Sequence, residues 1–146
     1  MIVTGSPTMA VVDAMKSLAE DDVALMARVT GVYGHLSSNA RTEYPYVVLG
    51  RRTRQNDSGT MQKVGGHVHV QLDVWSDHKG ASEAHLILSD LARVFERSDL
   101  HVSGYEFVRG SLSCEFEEVF DEPDEDSPDR VLYHGLQRWG CEVHES

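Results

Sequence analysis

The clearest pattern along the chain is the alternation in GGHVHVQLDVW, residues 65–75. Val68, Val70, Leu72 and Val74 fall on one parity, and His67, His69, Gln71 and Asp73 on the other. Side chains on a strand alternate between faces, so the stretch predicts one strand with an apolar face and a polar face. Upstream, Tyr46, Val47, Val48 and Leu49 are strong strand formers after Pro45, and the run continues through Gly50 into Arg51, Arg52 and Arg54. Residues 45–54 and 67–75 therefore predict an antiparallel hairpin with an oversized tip at 55–66, a segment rich in turn residues.

Helical spacing appears in three places. Met9, Val12, Met15, Leu18 and Ala19 recur at helical intervals after Pro7, which suits a first helical position. Asp21 and Asp22 then break and recap the chain, and Val23, Leu25, Met26 and Val29 predict a short second turn or helix ended by Gly31 and Gly34. Residues 82–97 carry Ala84, Ile87, Leu88, Leu91, Val94 and Phe95 on one broad face, the stripe of a helix packed on a core. Two further extended runs follow. In 107–120, Leu112, Cys114, Phe116 and Phe120 share a parity; in 130–144, Val131, Tyr133, Trp139, Cys141 and Val143 do. The acidic segment 121–129 reads as a solvated loop between them. The expected fold is α+β: an antiparallel four-stranded sheet with helices packed on one face, in the order α-β-β-α-β-β.

Composition narrows this to a single domain spanning 1–146, with 40% hydrophobic and 25% charged residues. No run of some 18 apolar residues crosses a bilayer, so no membrane is expected. The first residues lack a basic start and a continuous apolar stretch, which predicts a protein made and kept in a cytoplasm. Cys114 and Cys141 make no disulfide framework and are expected as free buried thiols. The net charge of −11, from 24 acidic and 13 basic residues, argues against sequence-independent DNA binding.

Candidate chemistry is sparse. His67 and His69 would point the same way, roughly 7 Å apart on a strand, a spacing able to chelate a metal. A site needs a third and usually a fourth ligand, for which His78, His101, His134 and His144 serve only if the fold gathers them. The alternative is a polar sheet face open to solvent or to a partner subunit. Ser111 and Ser113 lie in a strand-like run with no G-x-S-x-G turn, and Gly65-Gly66 opens a strand, so no phosphate cradle is expected there. No cofactor is expected, and an enzyme is not the favoured reading. Arg51, Arg52, Arg54 and Lys63 give the tip loop a basic flank in an acidic protein, which suits a partner with an acidic surface.

Several segments, in order, resemble the tail-completion, or tail-terminator, proteins of long-tailed bacteriophages and gene transfer agents. The matching pieces are Pro45-Tyr46-Val47 opening a strand, Trp75-Ser76 closing the next, Glu83-Ala84 starting the helix, and Tyr133-His134-Gly135 in the closing strand. The tip loop and the insertion EPDEDSPD depart from that pattern. The resemblance implies a structural virion protein: a homo-hexameric ring that caps the tail tube, ends its polymerisation and joins tail to head. Implied partners are the tail tube protein and a head connector or stopper protein, with DNA passing through the ring without specific binding. The implied location is the head–tail junction of the virion, with host cytoplasm during assembly. Within that reading, Arg51, Arg52, Arg54 and Lys63 are the tube or neck contact, and His67, His69 and Trp75 the subunit interface. Trp75, at a strand end, is either such an anchor or folded over its own helix. The other readings are a different neck or head-completion adaptor of the same particle and a small metal-dependent enzyme using His67 and His69.

Overall fold

The computed structural model describes residues 7–34, 43–56, 65–96 and 98–145. Helix α1, Pro7–Glu20, buries Val11, Val12, Met15 and Ala19, one stripe at helical spacing. Helix α2, Val23–Arg28, is short and starts at Asp22, whose carboxylate accepts a hydrogen bond from the Leu25 amide at 2.9 Å. Strands β1, Val32–Tyr33, β2, Tyr46–Asn56, and β3, Gly65–Ser76, follow, then helix α3, Ser82–Phe95. Strands β4, Tyr105–Phe107, β5, Ser113–Asp124, and β6, Ser127–Glu145, complete the chain.

The strands form one six-stranded sheet in the order β1-β2-β3-β6-β4, with β5 also paired to β6. Long β6 pairs with β3 along one edge; on the other it pairs with β5 over its first part and with β4 over its last residues. All pairings are antiparallel except β1 with β2. The mixed α+β class, the antiparallel pairing of the two hairpins and the helices on one face agree with the sequence. The strand count does not: the described residues form six strands in place of four. The additions are β1, two residues, and β4, three residues, too short to show a period. Each exists because a distant edge accepts it: Val47 donates its amide to the Gly31 carbonyl at 3.2 Å, and Tyr105–Phe107 lies along Val143–Glu145.

Two other expectations change. The run 107–120 is broken after Phe107, where Ser111 donates to the Val108 carbonyl and Gly110 takes φ 78°. Segment 121–129 is not a loop, because β5 extends to Asp124 and β6 begins at Ser127. Strand pairing between the two outweighs local acidity, and the chain turns within Glu125-Asp126.

The apolar face of β3 packs beneath α1 and α3. Val68, Val70, Leu72 and Val74 meet Val11, Met15, Ile87, Leu88, Leu91 and Phe95, joined by Trp139, Cys141 and Val143 from β6. Each such side chain contributes about 1.5–3 kcal/mol on full burial. Phe95 and Trp139 pack edge to face with centroids 5.7 Å apart. Gly135 lets α3 approach β6 closely, since a Cβ there would meet Leu88 Cδ1 at 3.0 Å. One polar residue interrupts this face. Gln137 is fully buried, accepts from Trp139 Nε1 at 2.9 Å and donates to the Leu88 carbonyl at 2.9 Å. Its polar atoms are thereby satisfied, and strand β6 is tied to helix α3.

Candidate functional site: the sheet face away from the helices

The register sets which side chains share the outer face. Tyr46, Val48 and Arg54 of β2 stand beside Trp75, Asp73 and His69 of β3. Those three stand beside His134, Leu136 and Gly140 of β6, with Arg138 opposite Gln71. Phe116, Glu118 and Phe120 of β5 continue the rows beside Arg138, Leu136 and His134. A bulge between Cys114 and Phe116 shifts the parity. Leu112, expected on the same side as Phe116 and Phe120, is instead buried in the core, while Phe116 is exposed. Cys114 is exposed as well, contrary to expectation, whereas Cys141 is buried and its thiol is pushed up to about 12 by burial.

The half of this face near the end of β3 is packed. His134 Nε2 lies 2.6 Å from Asp73 Oδ1, and its Nδ1 lies 3.4 Å from Glu122 Oε1. Gln71 Nε2 donates to both Asp73 oxygens, at 3.1 and 3.2 Å. Trp75 stacks on the His134 ring with centroids 4.0 Å apart and planes 15° from parallel, and Phe120 tilts against it at 4.6 Å. These neighbours bury Asp73 completely and Gln71 nearly so. The expected polar face open to solvent or a partner is therefore corrected for Gln71 and Asp73: the chain covers them itself. Trp75 lies on this face, stacked on His134 and half-buried, and not over its own helix. Beside it, Tyr46 has its hydroxyl pushed up to about 12, first by burial and then by Tyr44, whose ring lies 5.4 Å away. Arg130 stacks over Tyr44 at 5.2 Å and also reaches Asp77 and Asp124.

The other half is open. Arg52, Thr53, Arg54, His69, Gln71, Glu115 and Arg138 line a cleft of about 430 Å3. Glu115 stands at the β5 bulge and reaches across β6 to His69 Nδ1 at 2.7 Å. Gly140 makes room for it, since a Cβ there would meet Glu115 Cδ at 2.9 Å. Arg138 lies over the Phe116 ring at 5.7 Å. A second open cleft, of about 560 Å3, runs between α1 and residues 99–105 on the side of the helices.

The histidines are not brought together as ligands. His67 is exposed, His69 is tied to Glu115, His134 to Asp73 and His144 to Glu142. Among the described residues no three or more His, Cys, Asp or Glu side chains are placed to hold a metal ion. Ser111 Oγ accepts from the Glu142 amide at 3.0 Å, a structural role. Arg51, Arg52 and Arg54 are exposed on β2 itself, so they root the tip loop and do not belong to it. Lys63 and the tip, 57–64, lie outside the described residues. Sequence reasoning missed Glu115 and Arg138. The bulge that turns Glu115 toward His69 leaves no local signal, while the position of Arg138 two residues from Leu136 on the outer parity of β6 does mark it.

The resemblance motifs acquire structural roles. Ser76 Oγ donates to Glu83 Oε1 at 2.7 Å, so the Trp-Ser end of β3 is tied to the Glu-Ala start of α3. In the Tyr-His-Gly run, His134 joins the Asp73 network and Gly135 admits Leu88.

The chain is a small α+β domain with a packed polar network on one half of its outer sheet face and an open, charged cleft on the other. The chain belongs to the family described as tail completion protein gp17, whose model matches residues 13–138. No curated protein matches the chain. Among solved structures it is similar in fold to a chain of the "Virion of native gene transfer agent (GTA) particle", with a TM-score of 0.79 and 18% identity, covering 97% of this chain and 99% of that one.

Proposed function

We propose that the chain is a structural virion protein that closes into a hexameric ring on the end of the tail tube. The ring ends tube polymerisation and joins tail to head. Membership of the tail-completion family over residues 13–138 carries this reading. The fold it shares with a chain of a gene transfer agent virion supports it. The physics is capping. A tube grows because each added ring offers the surface the next one needs. A terminator binds that surface and presents a different one, and a closed ring leaves no growth site open.

Within this reading the β2–β3 arm, with Arg51, Arg52, Arg54 and Lys63, reaches toward the tube or neck. The outer sheet face, with His67, His69 and Trp75, meets the neighbouring subunit. The net charge of −11 lets DNA pass the ring without sticking, because like charge disfavours phosphate contact. The protein acts at the head–tail junction after assembly in the host cytoplasm, with the tail tube protein and a head connector or stopper as partners. Electron microscopy of particles made without the protein tests this. Overlong or deranged tails beside DNA-filled heads are expected. Normal tails joined normally to heads overturn the assignment. Leaking heads beside normal free tails assign the protein to the head side of the neck.

A further inference from the structure

Two charged surfaces lie apart along the sheet. Midway along the strands, where Arg54 stands opposite His69 and Arg138 opposite Gln71, the exposed Arg52, Arg54 and Arg138 surround the open cleft. No ion pair among the described residues engages any of the three; the one carboxylate in the cleft, Glu115, is bonded to His69. At the end where β3 closes, the β5–β6 hairpin runs past the sheet. The last β3–β6 pair is Ser76 with Tyr133, whereas β5 and β6 stay paired as far as Asp124 with Ser127. This projecting arm carries Glu125, Asp126 and Asp129, all exposed. Arg138 and Ser127 are separated by about 36 Å of strand at 3.3 Å per residue, so the arm does not reach its own cleft.

We infer that the acidic tip of the β5–β6 hairpin seats in the arginine cleft of a second copy of this chain. The inference rests on the ring reading and gives that ring its contact. An acidic hairpin tip meeting an arginine cleft elsewhere on the next copy is a heterologous, head-to-tail interface, the kind whose repetition closes a ring. Guanidinium groups suit the role, since each presents a planar fork that binds a carboxylate through two hydrogen bonds. The cleft is open to solvent, with a volume of about 430 Å3 to receive acidic side chains. The complementary surface that the cleft requires is present on the same chain, which favours a second copy over the tube as occupant. Arg52 and Arg54, which the ring reading turned toward the tube, serve instead the neighbouring subunit, and Arg51 remains for the tube.

Two charge-reversed variants of the full chain, R52E/R54E and E125K/D126K, test it by sedimentation, with circular dichroism to confirm folding. Each variant alone is expected to lose about a hundred-fold in association constant, as like charges meet across the contact. Mixed together they are expected to assemble, because each then finds an opposite charge on the other and the two alternate around the ring. If R52E/R54E does not fold, R52Q/R54Q replaces it, with about a ten-fold weakening expected. Wild-type rings that persist unchanged in both variants overturn this contact and leave the ring reading standing. Folded variants that stay apart when mixed overturn it as well. Variant rings that form normally but no longer bind tail tubes overturn it and give the arginines to the tube. A wild-type chain that never assembles, with or without tubes, overturns the ring and this contact with it.

Discussion

Asp73 and His134 meet across β3 and β6 at 2.6 Å, and both side chains are buried. Around them Gln71 holds the remaining lone pairs of the carboxylate, and Trp75 and Phe120 cover the imidazole. Such a network is stable when every member has a partner and costly when one is removed.

His134→Ala is therefore expected to destabilise the fold by about 3 kcal/mol, because Asp73 loses its closest partner without regaining water. Asp73→Asn keeps the shape and a hydrogen-bonding amide, and its loss should be smaller. Urea unfolding of the two variants separates these. A loss under about 0.5 kcal/mol in His134→Ala, the range of ordinary surface changes, would show that the pair contributes nothing.

A second polar contact ties the two ends of the helical layer. Asp22 caps α2 through the Leu25 amide and also takes both Arg93 guanidinium nitrogens, at 3.0 and 2.7 Å. The Arg93 hydrogen bonds, and then the Leu25 amide, hold the carboxyl below its ordinary value of 3.8. A carboxyl depressed on folding contributes stability that is full above its unfolded value and is lost as pH falls through the folded one. Asp22→Ala should cost about 1 kcal/mol near neutrality, mainly as a lost cap, since Arg93 is half-exposed and the ion pair itself is worth little. The gap between wild type and variant should narrow below about pH 4. Thermal melts across that range check it; a gap constant with pH would mean that the carboxylate's charge plays no part.

How far the sequence carried depends on the range of the interaction. Alternation in 67–75 placed β3 and its apolar face, because that face is fixed by one core. The stripe in 82–97 placed α3 for the same reason. Strands β1 and β4 were hidden, since two or three residues carry no period and each is made by a distant edge. The bulge at Glu115 was hidden too, so Leu112 was grouped on one parity with Phe116 and Phe120, which stand on the other face. The motif residues Ser76, Glu83, His134 and Gly135 were legible as a series before their contacts were. The outer face was legible only as polar. Whether Asp73 was open or covered depended on His134, 61 positions later in the chain.

Trp75 offers a test in which folding and assembly part company. Its ring stacks on His134 on the outer face and remains half-buried, away from the helices. Within the chain it contributes the stack, worth about 0.5–1.5 kcal/mol beyond area. The proposed ring turns its free side to a neighbouring subunit, where a partly exposed tryptophan would become fully covered. Anchors of that kind commonly cost 2 kcal/mol or more when truncated, about thirty-fold in association. Trp75→Ala should therefore keep the native circular dichroism spectrum, lose about 1 kcal/mol in urea and assemble far more weakly than the wild type. Trp75→Phe, which keeps a ring over His134, should recover most of the stability and only part of the assembly. Sedimentation read beside unfolding curves decides the matter: assembly that falls only in proportion to folding would place Trp75 in the fold alone.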